Sequence, residues 1–511
     1  MPERVYWGDM HLNLHHRDVS RIDAVFAAAR EQLDFFPIAY YPYDYHELPQ
    51  GLRVESIGLA ERALCDWETI RAAVRKHNDP GQFVTFPGYE WHGNRRCGGD
   101  HNVFYPEDGP LALPDTLPEL YQHCRATGAI AIPHHTAYRV GSGGRGKDWE
   151  QHDEELSPVA EVYSHHGCSE AVEAPLGMAR NQSMGPRVSG GTIQEGLARG
   201  YRIGIIASGD THSGYPGVWN NGLAGIWASE LTREALWEAL LRRRTYGVTG
   251  DRMLVDFRAD DAPMGSVLGG SGQVQLSAFV VGEAAIDRIE LLRNNRVLAT
   301  YCHAGRWDVE SEGPRLRAKL RITVGWGPGD QYGFTPAERR WHGRLRIEGG
   351  EVGAARGCFT RLGQRLRRTS DSEWEWELTT SDRRYAQENV QGIVFEVTGA
   401  SNSQLSVEVD GEGIQLSLDE ALRGSQVLPL LGEARVALED QFGLTPDDIA
   451  SPDVLYHSAP KVKVHRAVPE CGYTAGAGFS DDPPPGRNHY YLRVSQTNGQ
   501  MAWTSPIWVE R

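Results

Sequence analysis

The segment RVYWGDMHLNLHH, residues 4–16, joins an apolar, strand-like run to a dense group of polar side chains. Asp9, His11 and Asn13 are spaced by two residues, so on an extended segment their side chains point to the same side. The same residues would also suit a histidine-rich polar loop with no metal. The choice depends on whether matching groups follow other predicted strands.

Ionisable side chains do follow several later strand-like runs of the first 250 residues. FVTFPGYE ends at Glu90, AIAIPHH at His134 and His135, VAEVYSHH at His165 and His166, and IGIIASGDTH at Asp210 and His212; VAEVYSHH also contains Glu161, and GGDHNVFY adds His101. In β/α barrels the active site lies at the C-terminal ends of the parallel strands. We therefore expect these groups to converge.

The pattern of apolar residues changes near residue 252. Before it, short apolar runs alternate with amphipathic stretches such as DVSRIDAVFAAAREQL, which predicts repeated βα units and a parallel sheet or barrel. After it, short alternating runs dominate, and Asn498-Gly499 between two of them predicts a tight hairpin. We predict a barrel of βα units over residues 1–251 and a mostly antiparallel β-sandwich over residues 252–511.

Composition limits the classes of partner. The formal net charge is −16 at pH 7, which argues against a nucleic acid or an anionic membrane as the main partner. A small anionic substrate stays compatible, because a bound metal can reverse the sign of the local field. The sequence does not predict an oligomeric state.

The seven cysteines form no C-x-x-C pair, and no run of about 18 apolar residues is present. The N-terminal residues MPERVYWGDM lack the apolar core of a signal peptide. These observations predict a cytoplasmic protein without a disulfide framework.

Several neutral imidazoles beside two or three carboxylates suit Zn, Mn or Fe. Glu90 is the carboxylate placed to bridge two such ions, which two-metal sites hold about 3.5–4 Å apart. A polar cluster without metal is the alternative interpretation.

The sequence also resembles a known group of enzymes. The motifs are YWGDMH, FPGYEW, GGDHNVFY, IPHHTAY, EVYSHHGCSE, SGDTHSG, RRRTYGVTG and the C-terminal YYLRVSQTNGQMAWTSPIWVER. Together they resemble the PHP (polymerase and histidinol phosphatase) superfamily of metal-dependent hydrolases, and most closely its DUF3604 branch. The resemblance implies a distorted (β/α)7 barrel, and it places metal ligands at His11, Glu90, His134 or His135, His166, Asp210 and His212.

Two departures from the superfamily pattern reduce the predicted number of ions. Its usual H-x-H is His11-Leu12-Asn13 here, and its usual Asp-His at the second motif is replaced by Tyr40 and Tyr41. An amide oxygen is a weak ligand and a neutral tyrosine a poor one, so we expect one or two ions of Mn, Zn or Fe. Substitute ligands are available in principle from His15, His16 or His46.

The predicted chemistry is hydrolysis by a metal-activated water, with a phosphate ester as the leading substrate. We expect Asp210 to bind metal and hold the proton of the attacking water, and His165 or His101 to protonate the leaving group. Arg95, Arg96 or Arg139 would hold a substrate anion, because guanidinium matches phosphate and carboxylate. Hydrolysis of an amide or ester at the same centre is one alternative, and a non-catalytic binding protein with a degenerate barrel is another.

One further motif, GSGGRG at residues 141–146, matches the dinucleotide-binding pattern G-x-G-x-x-G. It lacks the flanking strand and apolar helix that such binding needs. We predict a flexible loop beside the site instead.

Overall fold

The structure is a computed structural model of the 511-residue chain. It describes residues 3–51, 53–57, 60–96, 98–178, 182–270, 272–304, 315–328, 333–334, 337–381, 390–445, 447–449 and 452–511. The side chains of residues 45, 46, 53–57 and 60 lie outside the description, and His46 is among them.

Short strands make up most of the first 250 residues. They are β1 (Arg4–Gly8), β2 (Asn13–His15), β3 (Ala39–Tyr41), β4 (Tyr43–Glu47), β5 (Arg53–Ile57), β6 (Gly88–Trp91), β7 (His101–Phe104), β8 (Ile130–Pro133), β9 (Val159–Ser164), β10 (Gly167–Cys168), β11 (Gly204–Ala207), β12 (Leu223–Ala228) and β13 (Thr245–Val248).

Helices separate many of these strands. They are α1 (His16–Val19), α2 (Ile22–Arg30), α3 (Ala60–His77), α4 (Leu117–Thr127), α5 (Ile193–Ala198) and α6 (Arg233–Leu241), with 3-10 turns at Trp149–Gln151, Gln182–Met184 and Ser189–Gly191. Helix α4 shows the local signals clearly: Thr116 and Glu119 form a capping box at its start, and Gly128, at φ 72°, ends it in the left-handed region.

The strand pairings of this half are partly parallel. β2 pairs with β3, β3 with β6, and β9 with β11 in parallel, whereas β7 pairs antiparallel with both β6 and β8. Strand β9 is buried along its whole length, as expected for a strand covered on both faces. The mixed α/β class is confirmed. The closed barrel stays a prediction, because these pairings belong to separate sheets.

Longer strands follow. β14 (Leu254–Ala259), β15 (Ala262–Pro263), β16 (Val267–Gly269), β17 (Val274–Val281), β18 (Ile286–Arg293) and β19 (Arg296–Cys302) come first. Next come β20 (Leu316–Trp326), β21 (Arg339–Cys358), β22 (Arg365–Ser370), β23 (Glu373–Thr380), β24 (Gln391–Val409), β25 (Glu412–Ser417), α7 (Leu418–Arg423), β26 (Gln426–Pro429), α8 (Leu431–Phe442), α9 (Pro452–Ser458), β27 (Lys461–Val464), β28 (Val468–Pro469) and α10 (Glu470–Tyr473). The last strands are β29 (Thr474–Asp481), β30 (Arg487–Gln496), β31 (Met501–Thr504) and β32 (Ile507–Glu510).

The chain divides into two compact units, and the division differs from the predicted boundary after residue 251. Unit 1 contains Met1–Gly282, Ile286–His303 and Ala475–Arg511, and unit 2 contains Glu283–Ala285 and Ala304–Thr474. The reason lies in long-range strand pairing. Strand β31 pairs with β13, β30 with β31 and β18 with β30, so the end of the chain completes a sheet that also contains β1 and β12.

The predicted hairpin at Asn498-Gly499 is confirmed. It joins the antiparallel strands β30 and β31, and Gly499 has a φ of 84°, which glycine adopts without strain.

Unit 2 is built on a mainly antiparallel sheet of nine strands, in the order β22-β23-β21-β24-β20-β27-β26 with β25 and β28 attached. Its core is apolar and includes Leu320, Trp341, Leu345, Phe395 and Val407. The antiparallel, β-rich character agrees with the sequence, and the sandwich arrangement stays a prediction. Among the described residues, none of the helices is long and apolar enough to cross a membrane.

Candidate metal centre

Six of the predicted ligands lie together in unit 1, and they come from five different strand ends. His11 lies between β1 and β2, Glu90 belongs to β6, His134 and His135 follow β8, His166 follows β9, and Asp210 follows β11. All six side chains are buried. The convergence predicted from the strand ends is therefore present.

The nitrogen and oxygen atoms of these residues approach one another closely. His11 Nε2 lies 3.5 Å from Glu90 Oε2 and 3.5 Å from Asp210 Oδ1. On the other side of Glu90, Oε1 lies 3.5 Å from His134 Nε2. His166 Nε2 lies 3.3 Å from Asp210 Oδ2.

Among the residues that the structure describes, five groups of three place one ligand atom each within 4.8 Å of the others. They are His11–Glu90–His134, His135–His166–Asp210, His11–Glu161–Asp210, Asp100–His134–His135 and Glu90–His92–Asp100. The first two share no residue. Histidine nitrogens and carboxylate oxygens in this proportion suit Zn, Mn or Fe.

Several of these buried atoms have no hydrogen-bond partner among the described residues. They are His11 Nε2, Glu90 Oε2, both ring nitrogens of His134, and His135 Nδ1. A buried polar atom without a partner costs about 1–3 kcal/mol. A cation bound by His11 Nε2, Glu90 Oε2 and one ring nitrogen of His134 would satisfy these three atoms together, so the cluster fits a divalent metal.

The other ring nitrogen of His11 is fixed by a carboxylate. His11 Nδ1 lies 2.9 Å from Glu161 Oε2, inside β9, and a carboxylate in this position accepts the Nδ1 proton. Nε2 is then the nitrogen directed at Glu90 and Asp210, where a metal would replace its proton. Burial opposes protonation of His11, but the carboxylates of Asp210 and Glu161 outweigh it and raise the pKa of the ring well above its usual range. Carboxylate–histidine pairs of this kind orient metal-binding imidazoles in many proteins.

Electrostatics favour a cation in the cluster. Burial opposes ionisation of Asp210, but the imidazoles of His11 and His166 outweigh it and lower the pKa of this carboxyl to about 2. For His135, burial and the neighbouring His134 and His166 hold the pKa well below its usual range. The carboxylate is thus ionised and the imidazole neutral at pH 7, which are the protonation states that ligate metal.

The backbone at two of these positions lies in the left-handed region. His135 has a φ of 33° and Asp210 a φ of 50°. Such conformations are uncommon for residues other than glycine and cluster at functional sites.

Asp9, the first residue of the predicted trio, has a structural role. Its carboxylate accepts backbone N–H bonds from His11, Gly209 and Gly217 at 3.0, 2.8 and 2.8 Å. The loop that carries His11 is thereby tied to the loop that carries Asp210. A Cβ at Gly209 would lie 2.7 Å from Asp9 Oδ2, so this approach needs glycine.

Asn13 and His212 are close to each other but lie outside the groups of three. Asn13 Nδ2 donates to His212 Nε2 at 3.2 Å, and His212 Nδ1 lies 2.7 Å from His15 Nε2. His212 is exposed, whereas Asn13 is buried. His15, a predicted substitute ligand, therefore pairs with His212. The ligand role of Asn13 and His212 stays a prediction.

The two predicted proton donors are placed differently from each other. His165 is exposed beside His166, with ring centroids 6.0 Å apart. His101 is buried, its Nδ1 donates to the Gly99 carbonyl oxygen at 3.1 Å, and Lys147 Nζ donates to its Nε2 at 3.3 Å. Both nitrogens of His101 are engaged, which disfavours it as the donor to a leaving group.

Two residues of the cluster, His92 and Asp100, were not predicted from the sequence. The ring of His92 contacts Glu90 Oε1 and Arg95 Nη2. Asp100 Oδ2 lies 3.6 Å from His135 Nε2. The spacing of His92, two residues after Glu90 on β6, was the available signal, because alternate residues of a strand share a face. Asp100 directly precedes His101.

Of the three predicted anion-binding arginines, Arg95 reaches this region and contacts Asp100. Arg96 is exposed, and Arg139 is exposed and donates to the Ser142 carbonyl oxygen in its own loop.

Comparison with known proteins gives partial matches. The family model of a protein of unknown function, DUF3604, matches residues 217–263, which contain none of the residues of the five groups. An uncharacterized protein of Chlamydia pneumoniae is 30% identical over 258 residues, which is 46% of this chain and 40% of that protein. An uncharacterized protein of Chlamydia trachomatis serovar D is 27% identical over 345 residues, 62% of this chain and 52% of that protein. The chain thus spans about half the length of these relatives.

A search of solved structures gives a weak likeness. It is to the crystal structure of a two-domain protein from Bacteroides vulgatus ATCC 8482 that contains a predicted PHP-like metal-dependent phosphoesterase. The two chains are 14% identical, 81% of this chain and 95% of that chain are covered, and the TM-score is 0.34. A TM-score this low supports no inference about fold or function.

Proposed function

We propose that the protein is a divalent-metal-dependent hydrolase. The observation that carries the proposal is the set of buried, unpartnered nitrogen and oxygen atoms of His11, Glu90 and His134, which face one another within 4.8 Å. An apolar or hydrogen-bonded core would not leave such atoms unsatisfied.

The cluster offers ligand sets for one or two ions. We assign the first to His11, Glu90 and His134, and the second to His135, His166 and Asp210, because these two groups share no residue. A divalent ion there would supply a Lewis acid that lowers the pKa of bound water from about 15.7 to about 7.

The surrounding residues orient these ligands. Glu161 accepts the Nδ1 proton of His11, and the Tyr138 hydroxyl lies 2.8 Å from His166 Nδ1. With Nδ1 of each imidazole held in this way, both Nε2 atoms are directed into the cluster. Burial of Glu90 and Asp210 excludes bulk water and strengthens every electrostatic interaction inside. His165, exposed at the edge, is the proposed donor of a proton to the leaving group.

We propose a small phosphate ester as the substrate. The support is local: Arg95 lies beside the cluster, although the whole chain carries a formal net charge of −16. Hydrolysis of an amide or ester is the second candidate. Tyr40 and Tyr41 stand where the superfamily pattern has further ligands, and Tyr40 donates its hydroxyl to Asp66 at 2.9 Å. With tyrosines at these positions, the centre would hold fewer ions than the centres that hydrolyse phosphate esters in that superfamily.

A substrate comparison tests the proposal. Purified protein should be assayed with nitrophenyl phosphate and nitrophenyl acetate, each with Mn, with Zn and with a chelator. Metal-dependent turnover of the phosphate supports the first candidate, and metal-dependent turnover of the acetate alone supports the second. His134→Ala should abolish either activity, whereas Glu173→Gln, an exposed carboxylate change, should retain it. Turnover that survives both chelator and His134→Ala would refute the proposal.

A further inference from the structure

Two arginines from different segments meet one buried carboxylate. Arg95 Nη1 donates to Asp100 Oδ2 at 2.7 Å, and Arg145 Nη1 donates to the same oxygen at 3.1 Å. The Asp100 side chain is 2% exposed, while those of Arg95 and Arg145 are 22% and 27% exposed. The carboxylate is therefore inside, and the two guanidinium groups reach the surface.

This cluster adjoins the proposed metal ligands. Asp100 Oδ2 lies 3.6 Å from His135 Nε2, and Asp100 forms a group with His134 and His135 whose ligand atoms lie within 4.8 Å of one another. Arg95 Nη2 also contacts the His92 ring, which contacts Glu90. A single imidazole thus separates the Arg95 guanidinium from a proposed metal ligand.

The three side chains of Asp100, Arg95 and Arg145 together carry a net positive charge, because one carboxylate contacts two guanidinium groups. Guanidinium is planar and always charged, and its N–H groups match the oxygens of phosphate and carboxylate in pairs. Asp100 holds both guanidinium groups at one carboxylate oxygen. If ions were bound by the neighbouring histidines, an anion beside the arginines would be attracted by both.

Arg145 is placed by the glycine-rich loop that the sequence analysis predicted to be flexible. Gly143 N donates to the Arg95 carbonyl oxygen at 2.8 Å, which ties the two arginine segments together. A Cβ at Gly146 would lie 1.9 Å from the Tyr138 carbonyl oxygen, so the loop packs too closely for any other residue there.

Lys147 anchors the end of the same loop. It is buried, its backbone N donates to the Thr136 carbonyl oxygen at 2.9 Å, and its Nζ donates to Tyr121 Oη at 3.2 Å. A loop with these contacts presents Arg145 in a defined position, as a binding residue requires.

We propose that Arg95 and Arg145, held together by Asp100, form an oxyanion subsite that binds the phosphate or carboxylate group of the substrate beside the ions. This inference rests on the proposed metal-dependent hydrolase. It adds the residues that select the charge of the substrate. One of them, Arg145, was not predicted from the sequence.

The test is a calorimetric titration of inorganic phosphate, and separately of acetate, into metal-loaded protein. Wild type, Arg145→Ala, Arg145→Lys and Arg242→Ala should be compared, after metal content and thermal unfolding of each have been measured. Arg242→Ala is the matched control, because it removes the same charge from unit 1 at an exposed position where the side chain pairs with Glu238.

We expect Arg145→Ala to weaken phosphate binding about tenfold or more, the effect of losing one charge-assisted hydrogen bond. The phosphate affinity of Arg145→Lys should lie between those of Arg145→Ala and wild type, because lysine keeps the charge and loses the paired N–H donors. Arg242→Ala should bind phosphate as wild type does. If the same order holds for acetate and wild type binds acetate more tightly, the subsite is supported with a carboxylate substrate.

Equal phosphate affinity in wild type, Arg145→Ala and Arg145→Lys, with metal content unchanged, would overturn the subsite and leave the hydrolase proposal standing. Failure of wild type to retain any metal would overturn the hydrolase proposal itself, and the subsite with it. Arg145→Lys keeps the test decisive if Arg145→Ala fails to fold.

Discussion

Replacement of Glu161 by glutamine should weaken metal binding while the fold stays intact. Glu161 Oε2 lies 2.9 Å from His11 Nδ1, and both side chains are fully or almost fully buried. The carboxylate fixes the Nδ1-protonated tautomer of His11 and makes Nε2 a better ligand. Glutamine has nearly the same shape and still offers an amide oxygen, but it loses the charge.

The expected loss of metal affinity follows from the position of this contact behind a proposed metal ligand. Loss of a carboxylate that supports a ligating histidine lowers metal affinity about 10- to 100-fold. At about 1.4 kcal/mol per tenfold change, this corresponds to about 1.4–2.8 kcal/mol. A hydrogen bond to a charged group is worth about 1.5–3 kcal/mol, so the two estimates agree.

The assay is competition for Zn between the protein and a chelator of known affinity. Wild type, Glu161→Gln and the exposed control Glu173→Gln should be measured under the same conditions, with circular dichroism as the check on folding. Unchanged affinity in Glu161→Gln would refute the role assigned to this carboxylate. Loss of a whole metal equivalent would show instead that Glu161 is itself a ligand, as its membership of the group with His11 and Asp210 allows.

Three further changes should alter stability in unit 1. Glu170→Gln should lower the free energy of unfolding by about 3 kcal/mol, because the buried Glu170 carboxylate accepts a hydrogen bond from Arg493 at 3.2 Å. Urea unfolding measures this free energy, and a decrease of less than about 1 kcal/mol would contradict the prediction. Gly222→Ala should cost about 2 kcal/mol or more, since φ is 114° and a Cβ would lie 2.6 Å from the Ser208 carbonyl oxygen; a thermal midpoint equal to that of wild type would count against this. Burial lowers the pKa of His489 to about 4, so its unfolded form, with a pKa of about 6.5, takes up the proton first as the pH falls. The contribution of His489 to the free energy of unfolding is therefore complete above about pH 6.5 and declines toward pH 4, with a loss of about 2 kcal/mol at pH 5. Urea titrations at pH 7 and pH 5 should show a smaller loss of free energy of unfolding in His489→Gln than in wild type.

The sequence predicted the core of the candidate site because its signal is local. His11, Glu90, His134 and Asp210 each stand at the end of a short apolar run, and the ends of such strands meet in space. Tertiary contacts supplied the rest. Arg145 becomes part of the site through Asp100, which is 45 residues away along the chain, and no spacing rule joins the two.

The division of the chain into units and the packing of the glycine-rich loop depend on contacts that the sequence does not reveal. The pairing of Tyr246 with Thr504 brings the end of the chain into the first unit, and pairing over that distance leaves no periodic pattern in the sequence. The segment GSGGRG has the composition of a mobile loop, and its flexibility stays a prediction. Within it, Gly146 approaches the Tyr138 backbone where no side chain fits.

The number of metal equivalents that stay bound through gel filtration, measured by elemental analysis, tests the central claim most directly. We expect one or two equivalents of a divalent transition metal per wild-type chain, and at least one fewer in a folded His11→Ala variant. A wild-type chain that retains no such metal after incubation with Mn, Zn or Fe, or a His11→Ala variant with the full complement, would contradict a metal centre built on these residues.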